Sequence, residues 1–155
     1  MANPGKFIIR VYGLVINNDN EILLTDEYRF DMRMTKFPGG GLHYGESTVD
    51  CLKREFMEEC NGQEIENIRH FYTTDFFQEA LLFDNHQLIS IYYLADLQKP
   101  VRFEVSEKPF DFKKTEEGSQ CFRWVKINEI NEDDISFPID KFVIKKLKAA
   151  YFENC

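Results

Sequence analysis

Hydrophobic and polar positions alternate in several stretches of the chain, as they do in half-buried β-strands. The stretch Phe7–Ile16 is rich in β-branched and aromatic residues, and the polar run at 17–20 predicts a tight turn after it. Further extended segments are expected at Glu21–Thr25, around Lys36-Phe37 up to Pro38, and at Ile65–Phe77, Gln78–Phe83, Gln87–Leu97 and Cys121–Val125. Residues 99–120 carry prolines, glycine and mixed charge, which indicates mostly loop.

Two other segments place hydrophobic residues three and four apart, as amphipathic helices do. The first begins at Ser47, which can accept a hydrogen bond from an early backbone N–H while Asp50 reaches back. Its apolar stripe comprises Val49, Leu52, Phe56 and Cys60. The second begins at Pro138 and runs for about 14 residues, since proline favours the first helical turn. Its apolar face comprises Ile139, Phe142, Val143, Leu147 and Ala150.

These elements predict an α/β fold, in which a mixed β-sheet lies between helices as an α/β/α sandwich. A hydrophobic content of 43%, with 15 phenylalanines, is typical of a packed globule. We expect a single domain that spans residues 1–155, because this length is sufficient for one hydrophobic core.

Three glutamates of the first helix are candidates for chemistry. Glu55, Glu58 and Glu59 occupy positions i, i+3 and i+4, so their carboxylates lie along one stripe. Like charges at this spacing destabilise a helix by a few tenths of a kcal/mol per pair, and a divalent cation is the simplest compensation. Hard oxygen ligands suit Mg²⁺ or Mn²⁺. The alternative is a solvated acidic face, but the glycines at 39–41, which allow a ligand to approach the backbone, favour a site.

The segment at 40–62 resembles the Nudix box, whose pattern is G, five residues, E, seven residues, then REUxEExGU with U a bulky aliphatic residue. Gly40, Glu46 and the run REFMEE at 54–59 match every charged position of the pattern. Asn61 stands where the box has glycine, and Gly62 stands at the last aliphatic position. We expect Asn61 to end the helix in the left-handed conformation.

The resemblance implies a Nudix hydrolase, which cleaves a nucleoside diphosphate linked to another moiety with the help of Mg²⁺ (or Mn²⁺). It implies that Glu58, Glu59 and the Gly39 carbonyl bind the metal, and that Glu55 binds metal or acts as the base. Arg54 and Glu46 complete the catalytic group as residues that orient the carboxylates. Among acids of the late loop, Glu117 is the candidate for a further metal ligand and Glu116 the next, although a surface pair of acids is an equal alternative.

The residues near the box bear on the choice of substrate. Arg29, Arg33 and Lys36 are candidate phosphate-binding residues, with solvated surface charge as the alternative for each. The resemblance implies that the substrate is a nucleotide sugar such as ADP-ribose, or a nucleoside triphosphate. The proline typical of the ADP-ribose type is missing between Gly62 and Pro100, which weakens that choice. A catalytically silent Nudix domain that binds a nucleotide as a sensor is the alternative function, and the intact REFMEE run favours the enzyme.

Charge and cysteine usage limit the partners and the compartment. A net charge of −8 argues against binding to long nucleic acid, whose phosphates require Lys and Arg. No segment approaches the roughly 20 apolar residues of a membrane span, and MANPGK lacks the apolar core of a signal peptide. The four cysteines, Cys155 included, form no CxxC pair or zinc spacing. We therefore expect a cytoplasmic protein with a small nucleotide-derived substrate, and leave a homodimer open.

Overall fold

The computed structural model describes residues 4–152, so Cys155 and the first three residues of MANPGK lie outside the described chain. Strands and helices follow one another in this order: β1 (Lys6–Val15), β2 (Glu21–Arg29), β3 (Met32–Lys36), β4 (Gly39–Gly41), α1 (Thr48–Glu59), β5 (Ile65–Thr73), β6 (His86–Leu97), β7 (Gln120–Lys126) and α2 (Pro138–Phe152). A short 3₁₀ turn, Glu132–Asp134, precedes α2.

The strands form two sheets. The first is mixed and has the order β4-β1-β6-β5, in which β1 and β6 run parallel from Lys6 opposite His86 to Val15 opposite Ala95. The second is antiparallel and has the order β3-β2-β7. The predicted α/β class with a mixed sheet is confirmed, and an antiparallel sheet accompanies the mixed one.

Two apolar clusters place the helices on opposite sides of β1. Val11 and Val15 belong to the cluster that contains the buried side of α1, whereas Tyr12 and Leu14 belong to the cluster that contains α2. This alternation follows from the period of two in a strand. Both faces of the central strand are therefore covered, as the predicted sandwich requires.

Helix α1 has the predicted ends. Ser47 Oγ accepts a hydrogen bond from the backbone N–H of Asp50 at 3.0 Å. At the other end Asn61 has φ 54°, and the N–H of Gly62 donates to the carbonyl of Met57 at 2.9 Å. This bond pattern is the Schellman motif, so the left-handed conformation expected for Asn61 is confirmed. The apolar stripe is confirmed by the buried residues Leu52, Phe56 and Cys60, whereas Val49 is half-buried.

Helix α2 starts at Pro138 as predicted, but its buried face is rotated from the expected one. Phe142 is 37% exposed and Ala150 is exposed, whereas Ile144 is buried. The ring of Phe142 packs against Tyr72 and Phe76, with centroid distances of 5.2 Å and 5.3 Å, at the edge of the core. The spacing predicted Phe142 on the buried face of the helix, but its side chain lies at the edge of the core.

Two of the extended segments predicted after α1 are confirmed, Gln87–Leu97 as β6 and Cys121–Val125 as β7. The segment Ile65–Phe77 ends early, at Thr73, and the strand predicted at Gln78–Phe83 is wrong. Residues 78–83 pair with the chain only through an isolated bridge between Glu79 and Gln87. Phe77 is 70% exposed and Leu81 is 63% exposed, so this apolar segment is not an interior strand. The loop prediction for 99–120 is confirmed, since β7 begins only at Gln120. Strand β2, by contrast, extends four residues past the predicted Thr25, to Arg29.

Candidate functional site

Strand β4 brings its glycines against α1. A Cβ atom at Gly40 would lie 2.4 Å from Glu55 Oε1, so only glycine leaves room for that carboxyl group. Gly39 has φ 149°, and a Cβ there would lie 2.1 Å from the carbonyl oxygen of Val11. Pairing of β4 with β1 thus requires glycine at position 39, whereas glycine at position 40 leaves space for the Glu55 carboxyl group beside the sheet.

Arg54 organises the carboxylates around it. Its Nη2 and Nε donate to the two oxygens of Glu46 at 2.8 Å and 3.0 Å, a bidentate pair. Its Nη1 donates to Glu55 Oε1 at 3.1 Å and to Glu58 Oε2 at 3.2 Å. Nη2 also donates to the carbonyl of Gly41 at 3.0 Å. One guanidinium group therefore joins Glu46, two glutamates of the helix stripe and the glycine strand.

Glu46 is a strongly ionised partner in this arrangement. The hydrogen bonds from Arg54, followed by the one from the backbone N–H of His43, lower the pKa of Glu46 to about 2. Its carboxylate is therefore charged throughout the range in which an enzyme of neutral pH works, and it can hold Arg54 in place.

Glu59, the third glutamate of the stripe, has different surroundings. Its Oε2 accepts from Gln120 Nε2 at 3.4 Å. Burial raises the pKa of Glu59 to about 7; Lys36 opposes this rise, and the nearby carboxylates of Glu27 and Glu55 add to it. A desolvated carboxyl group among like charges is the environment in which a cation is most strongly favoured.

Glu27 and Lys36 form a buried ion pair beside these acids. The side chain of Glu27 is 1% exposed and that of Lys36 is 8% exposed, and Lys36 Nζ lies 3.1 Å from Glu27 Oε2. Glu27 was not predicted as a site residue, because the expected strand ended at Thr25, two residues before it. Lys36 was predicted for its charge, and the structure places it in the wall of a cavity, while its charge also acts on Glu59.

The cavity lies between β1, β6, the β2–β3 hairpin, residues 78–83 and the start of α2. Its volume is about 190 Å³, which is less than a drug-sized pocket and matches part of a small ligand. Apolar side chains such as Ile8, Met34, Leu82, Phe83, Leu88 and Ile139 form most of its wall. The rest of the wall carries the polar or charged side chains of Arg10, Arg29, Lys36, Gln78, Glu79, Ser90 and Asp140.

Stacked tyrosines connect the polar groups of the cavity. The ring of Tyr12 stacks on Tyr92 with centroids 5.4 Å apart, and Arg10 Nε donates to the Tyr12 hydroxyl. The Tyr92 hydroxyl donates to Asp140 Oδ1, whereas Asp140 Oδ2 is buried without a hydrogen-bond partner. Burial raises the pKa of Asp140 to about 6. A residue of the cavity wall, Asp140, therefore carries one buried acceptor without a partner.

The remaining predicted residues have separate positions. Arg29 lines the cavity, and its Nε lies 3.2 Å from Glu27 Oε1. Arg33 is exposed, and its guanidinium group lies 5.5 Å from the ring centroid of Phe110. Glu117 is exposed and accepts from the backbone N–H of Phe30 at 3.0 Å, at the tip of the β2–β3 hairpin. The structure thus groups Arg29 and Lys36 at the cavity, and it pairs Glu117 with the hairpin.

The donor groups suit a divalent cation in their chemistry. Within residues 4–152, no three acidic, histidine or cysteine side chains lie close enough together to enclose a metal ion as they stand. Arg54 contacts Glu55 and Glu58, while Gln120 contacts Glu59. Each of the three carboxylates of the stripe therefore has a hydrogen-bond partner within the protein. All three donors are hard oxygens, the type that Mg²⁺ and Mn²⁺ prefer, and the repulsion around Glu59 would be relieved by a cation.

Comparison with known proteins identifies the class of this fold and site. The NUDIX domain family matches residues 6–145, so the chain belongs to the Nudix family. It is a Nudix hydrolase, an enzyme of the pyrophosphohydrolase type, and enzymes of this family generally use divalent metal cations. A search of curated proteins found no match.

Solved structures show the same fold. A NUDIX hydrolase from Nitrosomonas europaea is 18% identical with a TM-score of 0.68, over 96% of this chain and 90% of that one. A structure of MutT, from work on Aliivibrio salmonicida and Vibrio cholerae, is 25% identical with a TM-score of 0.61, over 94% and 100%. The Escherichia coli ORF135 protein is 18% identical with a TM-score of 0.63, over 96% and 95%.

Proposed function

We propose that this enzyme hydrolyses a phosphoanhydride bond in a small nucleoside diphosphate derivative, with Mg²⁺ or Mn²⁺ as its cofactor. The supporting observation is that Lys36 lines the cavity while its charge also acts on Glu59 of the carboxylate helix. A diphosphate beside Lys36 would therefore have the cavity on one side and the acids of α1 on the other. This arrangement suits a substrate with one ring-sized group next to its phosphates.

The acids of α1 are the groups we assign to the metal. Glu58, Glu59 and the Gly39 carbonyl would hold it, and Glu55 would be a further ligand or the base. A bound divalent cation supplies charge neutralisation at the phosphate oxygens and lowers the pKa of a water molecule. Arg54 keeps the carboxyl group of Glu55 oriented, because it contacts that group at 3.1 Å while Gly40 leaves it room.

The cavity favours a ligand with N–H donors. Asp140 Oδ2 is buried without a partner, and leaving such an acceptor unsatisfied costs about 1–3 kcal/mol. A nucleobase whose ring contacts the apolar wall would satisfy it with an amino or imino group once a side-chain movement exposes this oxygen to the cavity. A nucleotide sugar and a nucleoside triphosphate both supply such a base, so the cavity supports either as the substrate.

Hydrolysis of a nucleotide panel tests this function. Nucleotide sugars and nucleoside triphosphates are incubated with Mg²⁺, with Mn²⁺ or with EDTA, and the products are separated by chromatography. We expect turnover of at least one compound with metal and none with EDTA. Glu58→Gln should lower kcat by about 10²-fold or more, because it removes one charge from the site and is 59% exposed, so that the fold is unaffected.

The matched control is Glu64→Gln, which removes an exposed acid just beyond the same helix. It should leave kcat unchanged. Equal turnover by the Glu58→Gln enzyme at saturating Mg²⁺ would refute the metal assignment, and absence of turnover across the panel would refute the substrate class.

A further inference from the structure

The buried pair of Glu27 and Lys36 has a defined geometry. Thr25 lies opposite Lys36 in the β2–β3 pairing and Glu27 lies opposite Met34, so Glu27 and Lys36 are diagonal neighbours on one face. Glu27 Oε2 lies 3.1 Å from Lys36 Nζ and accepts from Thr25 Oγ1 at 3.5 Å. An acid buried to 1% needs a counterion, and Lys36 supplies it together with Arg29.

Lys36 has capacity for a further partner. An ammonium group carries three N–H donors, and Glu27 is the one acidic group within ion-pair distance of it among residues 4–152. Its Nζ lies 5.9 Å from the ring centroid of Tyr12, and both residues line the cavity. Lys36 therefore presents a positive group to the cavity, whereas Glu27, its partner, does not line the cavity in the described part of the chain.

We propose that Glu27 is a positioning residue, which holds the Lys36 ammonium group toward the diphosphate of the substrate. This role rests on the proposed function, since that function places a diphosphate beside Lys36. Glu27 does not line the cavity in the described part of the chain, so it acts through Lys36.

The competing acids explain why such a residue is needed. The charge of Lys36 acts on both Glu59 and Asp140, which are carboxyl groups with raised pKa values. A lysine has a flexible stem of four carbons, so without Glu27 it would turn toward one of these acids. Glu27 thus keeps the ammonium group at the cavity wall, where a phosphate can reach it.

The direction in which one substitution changes the affinity for pyrophosphate distinguishes this role from a purely electrostatic effect of Glu27. Removing an anion near a phosphate site should strengthen phosphate binding if Glu27 acts only by its field. We expect the opposite for Glu27→Gln, which keeps the shape of the side chain. Binding of inorganic pyrophosphate, measured by ³¹P NMR titration in EDTA so that no metal contributes, should weaken by about tenfold, the scale of one charged hydrogen bond.

A second pair of variants covers the case in which Glu27→Gln does not fold. Lys36→Met should weaken pyrophosphate binding by about tenfold or more, and the double variant Glu27→Gln/Lys36→Met should bind no worse than Lys36→Met alone. The double variant removes both charges, which buried pairs tolerate better than loss of one. Lys145→Met, which removes an exposed cation of α2 that pairs with Glu132 and does not line the cavity, is the control and should bind as the wild type does.

Three results would overturn this role of Glu27. They are no pyrophosphate binding by the wild type in EDTA, equal or tighter binding by Glu27→Gln, and additive losses in the double variant. None of these measurements needs hydrolysis. A failed nucleotide panel with weakened binding by Glu27→Gln would therefore count against the proposed function alone.

Discussion

Asn61 combines two properties at the end of α1. Its backbone is left-handed at φ 54°, and its Nδ2 donates to the carbonyl of Arg102 at 2.7 Å. The sequence predicted the backbone conformation, because asparagine stands where the Nudix box has glycine. It could not predict the contact with Arg102, which lies 41 residues further along the chain.

Substitution of Asn61 separates the two properties. Asn61→Gly keeps the left-handed backbone and loses the hydrogen bond, so we expect a loss of about 1 kcal/mol in the free energy of unfolding. Asn61→Val also forces a β-branched residue to positive φ and should cost a further 1–2 kcal/mol or so. Asn61→Asp, which has no N–H to donate, should behave like Asn61→Gly in urea unfolding. Equal stability of the Val and Gly variants would contradict this account.

Asp140 makes the stability of the protein depend on pH. Its pKa is raised from 3.8 to about 6 by burial, against the favourable effects of the Tyr92 hydrogen bond and of Lys36, Arg10 and Lys141. A raised carboxyl pKa means that the folded state binds the proton more tightly than the unfolded state does. The associated stability is present below pH 4 or so and is lost as the pH rises to about 6.

Asp140→Asn should remove this dependence. Two units of pKa correspond to about 3 kcal/mol, so the variant should gain roughly that much relative to the wild type between about pH 4 and 7. The measurement is the free energy of unfolding in urea for both proteins at several pH values, since the difference cancels the other titrating acids. A difference that stays constant with pH would show that Asp140 ionises normally in the folded protein.

At the scale of elements, β2 places buried acids on both of its faces. Glu27 faces Lys36, and Asp26, its neighbour, faces the other way. Asp26 is fully buried, and its Oδ2 accepts from Arg123 Nε at 2.7 Å and from the backbone N–H of Phe110 at 3.2 Å. The carboxylate also accepts from Thr35 Oγ1 at 2.6 Å. One strand thereby supports the site on one face and fastens the 99–119 loop on the other.

Loss of the Asp26 charge should loosen that loop. Asp26→Asn leaves Arg123, whose side chain is 12% exposed, without its counterion, and breaking a buried pair in this way costs about 3–5 kcal/mol. The exposed pair of Lys114 and Glu116 is the matched control, and Glu116→Gln should change stability by less than about 1 kcal/mol. Urea unfolding measures both. Similar costs for the two variants would contradict the assigned role of Asp26.

Elements that depend on a local sequence pattern were predicted correctly, whereas features that depend on tertiary contacts were not. The helix with Arg54 and its glutamates follows from spacing alone, and so do most of the strands. Residues 78–83 have strand-like composition but cover a cavity instead of pairing along a sheet. Glu27 was missed for a related reason, since nothing near it in the chain reveals that Lys36 and Glu59 will lie beside it.

At the scale of the whole molecule, charge constrains what can bind. The net charge of −8 supplies no cationic track for a polymer, and no helix within residues 4–152 is long and apolar enough to cross a membrane. Under the proposed function, we expect the binding of phosphate to depend on local groups such as Lys36 and on a metal.

Metal binding should stabilise the whole fold. Glu55, Glu58 and Glu59 repel one another in the metal-free protein, and a ligand bound only by the folded state stabilises it by about 2.7 kcal/mol at a hundred times its Kd. We expect a higher melting temperature in millimolar Mg²⁺ than in EDTA, with sodium chloride at equal ionic strength as the control. Coincident melting curves would show that the acids form no site of useful affinity.

The parallel pairing of β1 with β6 also has a consequence for synthesis on the ribosome. Lys6 lies opposite His86, so β1 gains this neighbour only after 80 further residues have been made. At about 5–20 residues per second, that interval is roughly 4–16 s. Strand β2 waits longer, because Leu23 pairs with Trp124. Nascent chains will thus carry two apolar strands with open edges for seconds, and chaperone binding should be concentrated on residues 6–29 during that time.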